Sequence, residues 1–274
     1  VSALTFTLRA QPPERLDLSP LVPRSLAGMA KRDMEKIRLG ISKHALTVGD
    51  LFSVAGNDAD QLVFEGGSDR FDCVGSGLDE GSIRVVGNVG AQAGRKMTGG
   101  ALTIEGDAGP HAGSAMRGGR LEIGGDAGDR LGGPLTGEMA GMAGGVLVVR
   151  GRAGDCAGDR MRRGLIAVLK GSGDYAGCRM IAGTLAIAGE VGKLPGYLMR
   201  RGSILLDRSP RRLSPSFVKS GSPDLVFAAL VDRHLIADGI SRKPLLGGVV
   251  GRYGGDNAVL GKGEIIFSVA ERDR

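Results

Sequence analysis

GDAGPHAGSAMRGG (residues 106–119) and GRAGDCAGDRMRRG (151–164) state one pattern: G-x-x-G-x-x-x-G, with a methionine three residues beyond the last glycine. Outward from these two stretches the pattern recurs through 81–201. Its copies open at Gly81, Gly100, Gly119, Gly145, Gly164 and Gly183, and Gly202 opens a further one. The interval is 19 residues except for one step of 26, between Gly119 and Gly145. A fixed period of this length marks an architecture built coil by coil.

Directly after each opening glycine, two apolar residues alternate with other types: Ile83/Val85, Leu102/Ile104, Leu121/Ile123, Leu147/Val149, Ile166/Val168, Leu185/Ile187 and Ile204/Leu206. A period of two predicts a short strand with one face buried. Glycine then returns in three columns. The first is Gly87/Gly106/Gly125/Gly151/Gly189, with Lys170 the exception; the second is Gly90/Gly109/Gly128/Gly154/Gly173/Gly192; the third is Gly94/Gly113/Gly132/Gly158/Gly177/Gly196. Bends at positive φ favour glycine, so a corner of that kind is expected at each column, Gly128 included. Six of the nine methionines (Met97, Met116, Met142, Met161, Met180, Met199) share one further column.

A single unit cannot enclose a core, whereas stacked units can, each strand pairing in parallel with its neighbours. The expected fold class is all-β-dominated: a right-handed parallel β-helix of about 19-residue coils, its hand following the preference of parallel crossovers. At about 4.8 Å per coil the rod is roughly 30 Å long. The methionines are expected to form an inward ladder, and core filling explains their register without a metal or haem.

The ends are less regular. Residues 3–8 read as a strand, a Pro-rich connector runs to Pro23, and Ser25 is expected to cap a helix over 26–39 that Gly40 stops. Counting back from Gly81 places Phe64, Gly75 and Leu78 in the strand, corner and methionine columns; a further step puts Gly49 and Gly56 at corners. The expected organisation is an N-terminal strand/helix cap (1–42), the coil region (43–206, cleanest over 81–201) and a C-terminal cap of helix and strands (207–274). In the last, Ser222-Pro223-Asp224 has the form of a helix start. A helix over 224–238 would pack Leu225, Ala229, Leu230 and Ile236, with strands near 245–250 and 263–269. The seven-residue excess between Gly132 and Met142 is expected to bulge outward as a loop.

Composition narrows the function. Forty-nine glycines are periodic here and mean corners, and the absence of Trp suits a narrow bore. No apolar run reaches the roughly 18–20 residues of a membrane span and no signal-peptide core is present, so a cytoplasmic chain without membrane attachment is expected. Three cysteines (Cys73, Cys156, Cys178) without a CxxC argue against disulfides and iron–sulfur ligation. His44, His111 and His234 are isolated, so no metal site is expected. GSGDYAG (171–177) follows a corner and opens no helix, unlike a dinucleotide loop. No catalytic residues are expected.

The net charge is +6, from 27 Arg and 9 Lys against 30 acidic residues. Scarce aromatic residues and no recognised motif disfavour nucleic acid. Arg160 and Arg179 share a column in adjacent copies. Arg162/Arg163 and Arg200/Arg201 precede new copies two coils apart, with Arg117 and Lys96 in the same columns lower down. Such a cluster fits a polyanionic partner or a solvated face in which acids such as Asp159 answer the charge.

The glycine–methionine repeat resembles that of the C subunit family of formylmethanofuran dehydrogenase, and is similar to the C-terminal domain of the glutamate synthase large subunit. GDNAVLGKGEIIF (255–267) resembles the closing segment of the former family. The resemblance implies a non-catalytic scaffold beside amidohydrolase-type, formyltransferase-type and molybdopterin-type subunits. Two settings stay open. One is a bacterial formyltransferase/hydrolase complex that moves formyl from tetrahydromethanopterin to a methanofuran-type carrier and releases formate; the preference for Arg over Lys leans this way. The other is an archaeal-type dehydrogenase. A freestanding glutamate-synthase-like structural module is the alternative of a different class. On the resemblance, Arg160, Arg162, Arg163, Arg179, Arg200 and Arg201 would hold the polyglutamyl tail of a furan cofactor or an acidic partner face; no covalently bound cofactor is expected.

Overall fold

The structure, a computed structural model, describes residues 2–40, 42, 45–221 and 225–269. His44 and the Ser222-Pro223-Asp224 helix start lie outside them. The chain opens with β1 (Ala3–Leu8), β2 (Leu16–Asp17), the one-turn helices α1 (Pro23–Leu26), α2 (Lys31–Met34) and α3 (Val48–Leu51), and β3 (Phe52–Ala55). The repeats give β4 (Asp58–Glu65), β5 (Phe71–Asp72), β6 (Ser82–Val86), β7 (Ala101–Ile104), β8 (Arg120–Ile123), β9 (Ala143–Val149), β10 (Arg163–Val168), β11 (Thr184–Ile187) and β12 (Arg201–Leu206). Then follow β13 (Val218–Lys219), α4 (Leu225–Ala237), β14 (Val250–Gly255) and β15 (Lys262–Ser268).

The protein is strand-dominated, with few helices and one large, mostly parallel sheet. Its 13 strands run β13-β14-β15-β12-β11-β10-β9-β8-β7-β6-β4-β1-β3. Within this sheet pairing is parallel along β1-β4-β6 to β12-β15 and antiparallel at the two edges, β3 on β1 and β13–β14 on β15. The register follows the sequence columns: Val85, Ile104, Ile123, Val149, Val168, Ile187, Leu206 and Phe267 are successive partners. A second parallel ladder joins Ser68, Val89, Ala108, Ala127, Ala153, Ser172 and Val191. All six column methionines are fully buried between these ladders' apolar residues. Phenylalanine plugs one end of the stack, where Phe6 and Phe64 rings lie 5.0 Å apart against Phe52.

The excess residues after Gly132 leave the stack undisturbed, since Ile123 pairs with Val149 across them and Met142 returns to the core. The glycine columns differ in cause. The third is a left-handed bend throughout, from Gly94 (φ +65) to Gly196 (φ +73). Gly128 and its column mates do not have positive φ, against expectation. A Cβ on Gly128 would lie 2.8 Å from Pro110 N and 3.0 Å from Gly109 C, so close approach of the preceding coil excludes a side chain there. Aspartates on the outside staple coils together: Asp155 N donates to Asp129 Oδ1 (2.8 Å) and Asp174 N to Asp155 Oδ1 (2.8 Å).

The ends depart most from the sequence reading. The helix expected over 26–39 is two single turns, α1 and α2, separated by Gly28 at φ +70. Gly49 lies in α3, and Gly56 (φ +82) turns the chain between β3 and β4, so neither is a coil corner. Helix α4 forms as expected but presents a different face: Ala228 and Leu235 are buried, while Ala229, Leu230 and Ile236 are exposed. It lies on the outer face of the sheet against Val148, Ala167, Ala186 and Leu205. The strand expected near 245–250 starts only at Val250, because Asp232 accepts the amides of Leu245, Leu246 and Gly247 (2.7–3.0 Å) and holds them as a turn.

Candidate functional site: an arginine-lined groove

The stack places the arginines by register. Arg162 N donates to Met142 O and Arg200 N to Met180 O, so Arg162, Ile181 and Arg200 follow one another up the stack. Arg163, Ala182 and Arg201 follow beside them. Each arginine is thus separated from its counterpart by an apolar coil, about 10 Å for two strand spacings, which relieves like-charge repulsion. The floor between them is Ile181 and Ala182.

Two adjoining concavities result. One, of about 600 Å³, is lined by Arg162, Arg163, Arg200 and Arg201 with Ile181, Ala182, Ala143 and Leu260. The other, of about 400 Å³, shares Arg162, Arg200 and Ile181 and adds Arg160, Arg179, Met139, Ala140, Leu198 and Val259. All six sequence-predicted arginines therefore meet in one neighbourhood, whereas Lys96 and Arg117 line neither concavity.

Their states differ. Arg179 is committed: its Nε donates to Asp159 Oδ1 at 2.9 Å and its Nη2 to Asp159 Oδ2. Asp159 is fully buried, with Arg130 Nη1 3.6 Å away. The hydrogen bonds to this carboxylate, opposed by burial, raise the Arg179 pKa. Arg160 donates through Nη1 to the carbonyl of Glu138 at 2.9 Å. Among the described residues, Arg162, Arg163, Arg200 and Arg201 have no ion-pair partner and are exposed. Four guanidinium groups are thus open to an incoming anion, each able to fork onto a carboxylate.

Sequence reasoning missed the walls. Met139 and Ala140 come from the excess loop, and Val259 and Leu260 from the turn within GDNAVLGKG. That turn is held by the buried Asp256, whose carboxylate accepts Leu198 N and Ala258 N, both at 2.9 Å. The signal was present in two segments already singled out, but their apposition depends on the third dimension.

Elsewhere the chemistry is quiet. Burial pushes the Cys178 thiol far above its ordinary value and raises those of Cys73 and Cys156. His111 is half-buried, and the exposed His234 lies 3.5 Å from Asp238. Among the described residues no group of three His, Cys, Asp or Glu is placed to hold a metal ion, and no helix is long and apolar enough to cross a membrane.

The stacked sheet and its arginine-lined groove define a repeat protein with a strongly basic concave surface. No family model matches the chain. Over 262 residues it is 53% identical to the C subunit of the formyltransferase/hydrolase complex Fhc of Methylorubrum extorquens, covering 95% of this chain and 98% of that protein. A chain in the crystal structure of the formyltransferase/hydrolase complex (FhcABCD) from Methylorubrum extorquens, in complex with methylofuran, matches with a TM-score of 0.93 and 45% identity. The match covers 97% of this chain and 100% of that one. The chain belongs to the C subunit family of formyltransferase/hydrolase complexes.

Proposed function

We propose that this chain is the non-catalytic scaffold subunit of a formyltransferase/hydrolase complex, which moves formyl from tetrahydromethanopterin to a methanofuran-type carrier and releases formate. The observation that carries the reading is the near-full-length likeness to the C subunit of such a complex. It favours this setting over the archaeal-type dehydrogenase and the freestanding module. On this reading the partners are amidohydrolase-type, formyltransferase-type and molybdopterin-type subunits, and the location is cytoplasmic, in keeping with three free cysteines. The two parallel ladders and recurring left-handed corners support a right-handed parallel β-helix as the finer description of the stack.

The groove would take the carboxylates of the carrier's glutamyl tail. Arg162, Arg163, Arg200 and Arg201 fit that role by charge, exposure and spacing along the stack. Exposed guanidinium groups each contribute little in water, so affinity would arise from several pairs formed by one tethered chain.

Affinity purification of the tagged chain, with mass spectrometry of what co-purifies, tests the assembly. Three further subunits of the named types are expected. Recovery of the chain alone would count against the complex, and formyl transfer or hydrolysis by the isolated chain would count against the scaffold role.

A further inference from the structure

The seven excess residues of the long repeat are organised around one side chain. Glu138 Oε2 accepts the amide of Leu135 at 3.0 Å, closing the loop on itself. Its Oε1 accepts from Arg95 Nη2 at 2.5 Å, tying the loop to a coil below the one it leaves. The pair is sheltered, with side chains 13% (Arg95) and 30% (Glu138) exposed. The backbone of the same residue faces the groove: Glu138 O accepts Arg160 Nη1 at 2.9 Å, and Gly141 N donates to Arg160 O at 3.0 Å. Met139 and Ala140 then form the wall beside Arg160.

We infer that the Arg95–Glu138 ion pair is a positioning device for polycarboxylate binding. It fixes the loop so that the Glu138 carbonyl holds the Arg160 guanidinium on the groove wall, with its remaining N–H donors free for a ligand. This inference rests on the groove being a polycarboxylate site. Arg95 lines neither concavity, so its effect travels through the loop. A guanidinium held by a fixed carbonyl gives up less rotamer freedom on binding, whereas one on a loose loop has that freedom to lose.

The test is calorimetric titration of the full-length chain with synthetic tetra-γ-glutamate, melting temperature being recorded for each variant. Arg95→Met is expected to weaken binding about tenfold, and Arg95→Lys to stay within about threefold of the parent. Glu138→Ala should also weaken it. A pure field effect has the opposite sign, because removing a negative charge beside the groove would tighten a polyanion. In an Arg160→Ala background, Arg95→Met should add nothing further. Unchanged affinity in Arg95→Met, or a full additional loss in the Arg160→Ala background, removes the device. If Arg162→Glu/Arg163→Glu still abolishes binding in that case, the groove itself stands. Failure of the parent chain to bind tetra-γ-glutamate overturns the groove and the device together.

Discussion

Replacing Gly128 by alanine adds one methyl group where the coils come closest. The new Cβ would meet Pro110 N at 2.8 Å, Gly109 C at 3.0 Å and Pro110 Cα at 3.1 Å, all backbone or ring atoms that cannot rotate away. Reaching an ordinary contact of about 3.4 Å requires the coils to part by roughly 0.4–0.6 Å. The bond from Gly128 N to Ala108 O, 2.9 Å long, would stretch with them. Overpacking of this kind costs about 1–3 kcal/mol. At about 2–4 °C for each kcal/mol in a domain of comparable size, the melting temperature should fall by about 5 °C. Gly128→Val should fall further, since two γ-methyl groups add bulk at the same close contact. Melts of purified chain followed by circular dichroism measure both. Because φ at this position is not positive, backbone conformation supplies no competing explanation. An alanine variant melting within about 1 °C of the parent would refute the close-packed-coil argument.

Three further outcomes are expected. Arg179→Met removes the forked partner of the buried Asp159 carboxylate, leaving Arg130 3.6 Å away as its nearest cation among the described residues, and should cost about 2–4 kcal/mol in denaturant melts; a loss below about 1 kcal/mol would show Asp159 satisfied otherwise. Burial works against the Glu122 carboxylate, yet hydrogen bonds and charge from Arg150 and then Arg120 hold its pKa below the ordinary range. Its stabilising contribution is therefore present above the unfolded carboxylate pKa of about 4.3 and lost as pH falls through the lower folded value. Glu122→Gln should lower stability at pH 7 and flatten the acid limb of the melting curve, and an unchanged acid limb would contradict that. Burial of the Cys178 thiol predicts no maleimide labelling of the native chain at this site at pH 8, checked by peptide mapping; labelling at the rate of an exposed thiol would contradict it.

The interior of the stack was legible because its physics repeats. Every coil faces the same neighbours, so strand pairs, the methionine ladder and the third glycine column appear as columns in the sequence. The second glycine column was legible as glycine but not in its cause, because positive φ and close approach select the same residue. The ends were least legible, since nothing there repeats. Leu230 and Ile236 suit a buried helical face, yet α4 packs Ala228 and Leu235 instead. The clue lay in the receiving surface: Val148, Ala167, Ala186 and Leu205 are apolar where Arg84, Thr103 and Glu122 occupy the same outward position in earlier copies. Arg150 then secures the end of this segment, donating to Ile240 O (2.8 Å) and Gly239 O (3.0 Å).

The candidate site divides in the same way. Register alone put Arg162, Arg163, Arg200 and Arg201 together. Whether a guanidinium is free depends on its partners, and Arg179 is answered by an acid one coil away. The loop and the closing turn had to be folded before they could be recognised as walls of one groove.

The most direct measurement is made on the assembled complex carrying Arg162→Glu/Arg163→Glu, by quantifying the retained furan cofactor and the stoichiometry of the subunits. These exposed side chains support no core contact, so the strand stack should remain intact with an unchanged circular dichroism spectrum. On the proposed role of the groove, the expected result is loss of most of the furan cofactor or release of a partner subunit. Full cofactor occupancy with normal stoichiometry would contradict it and leave the arginines as a solvated face.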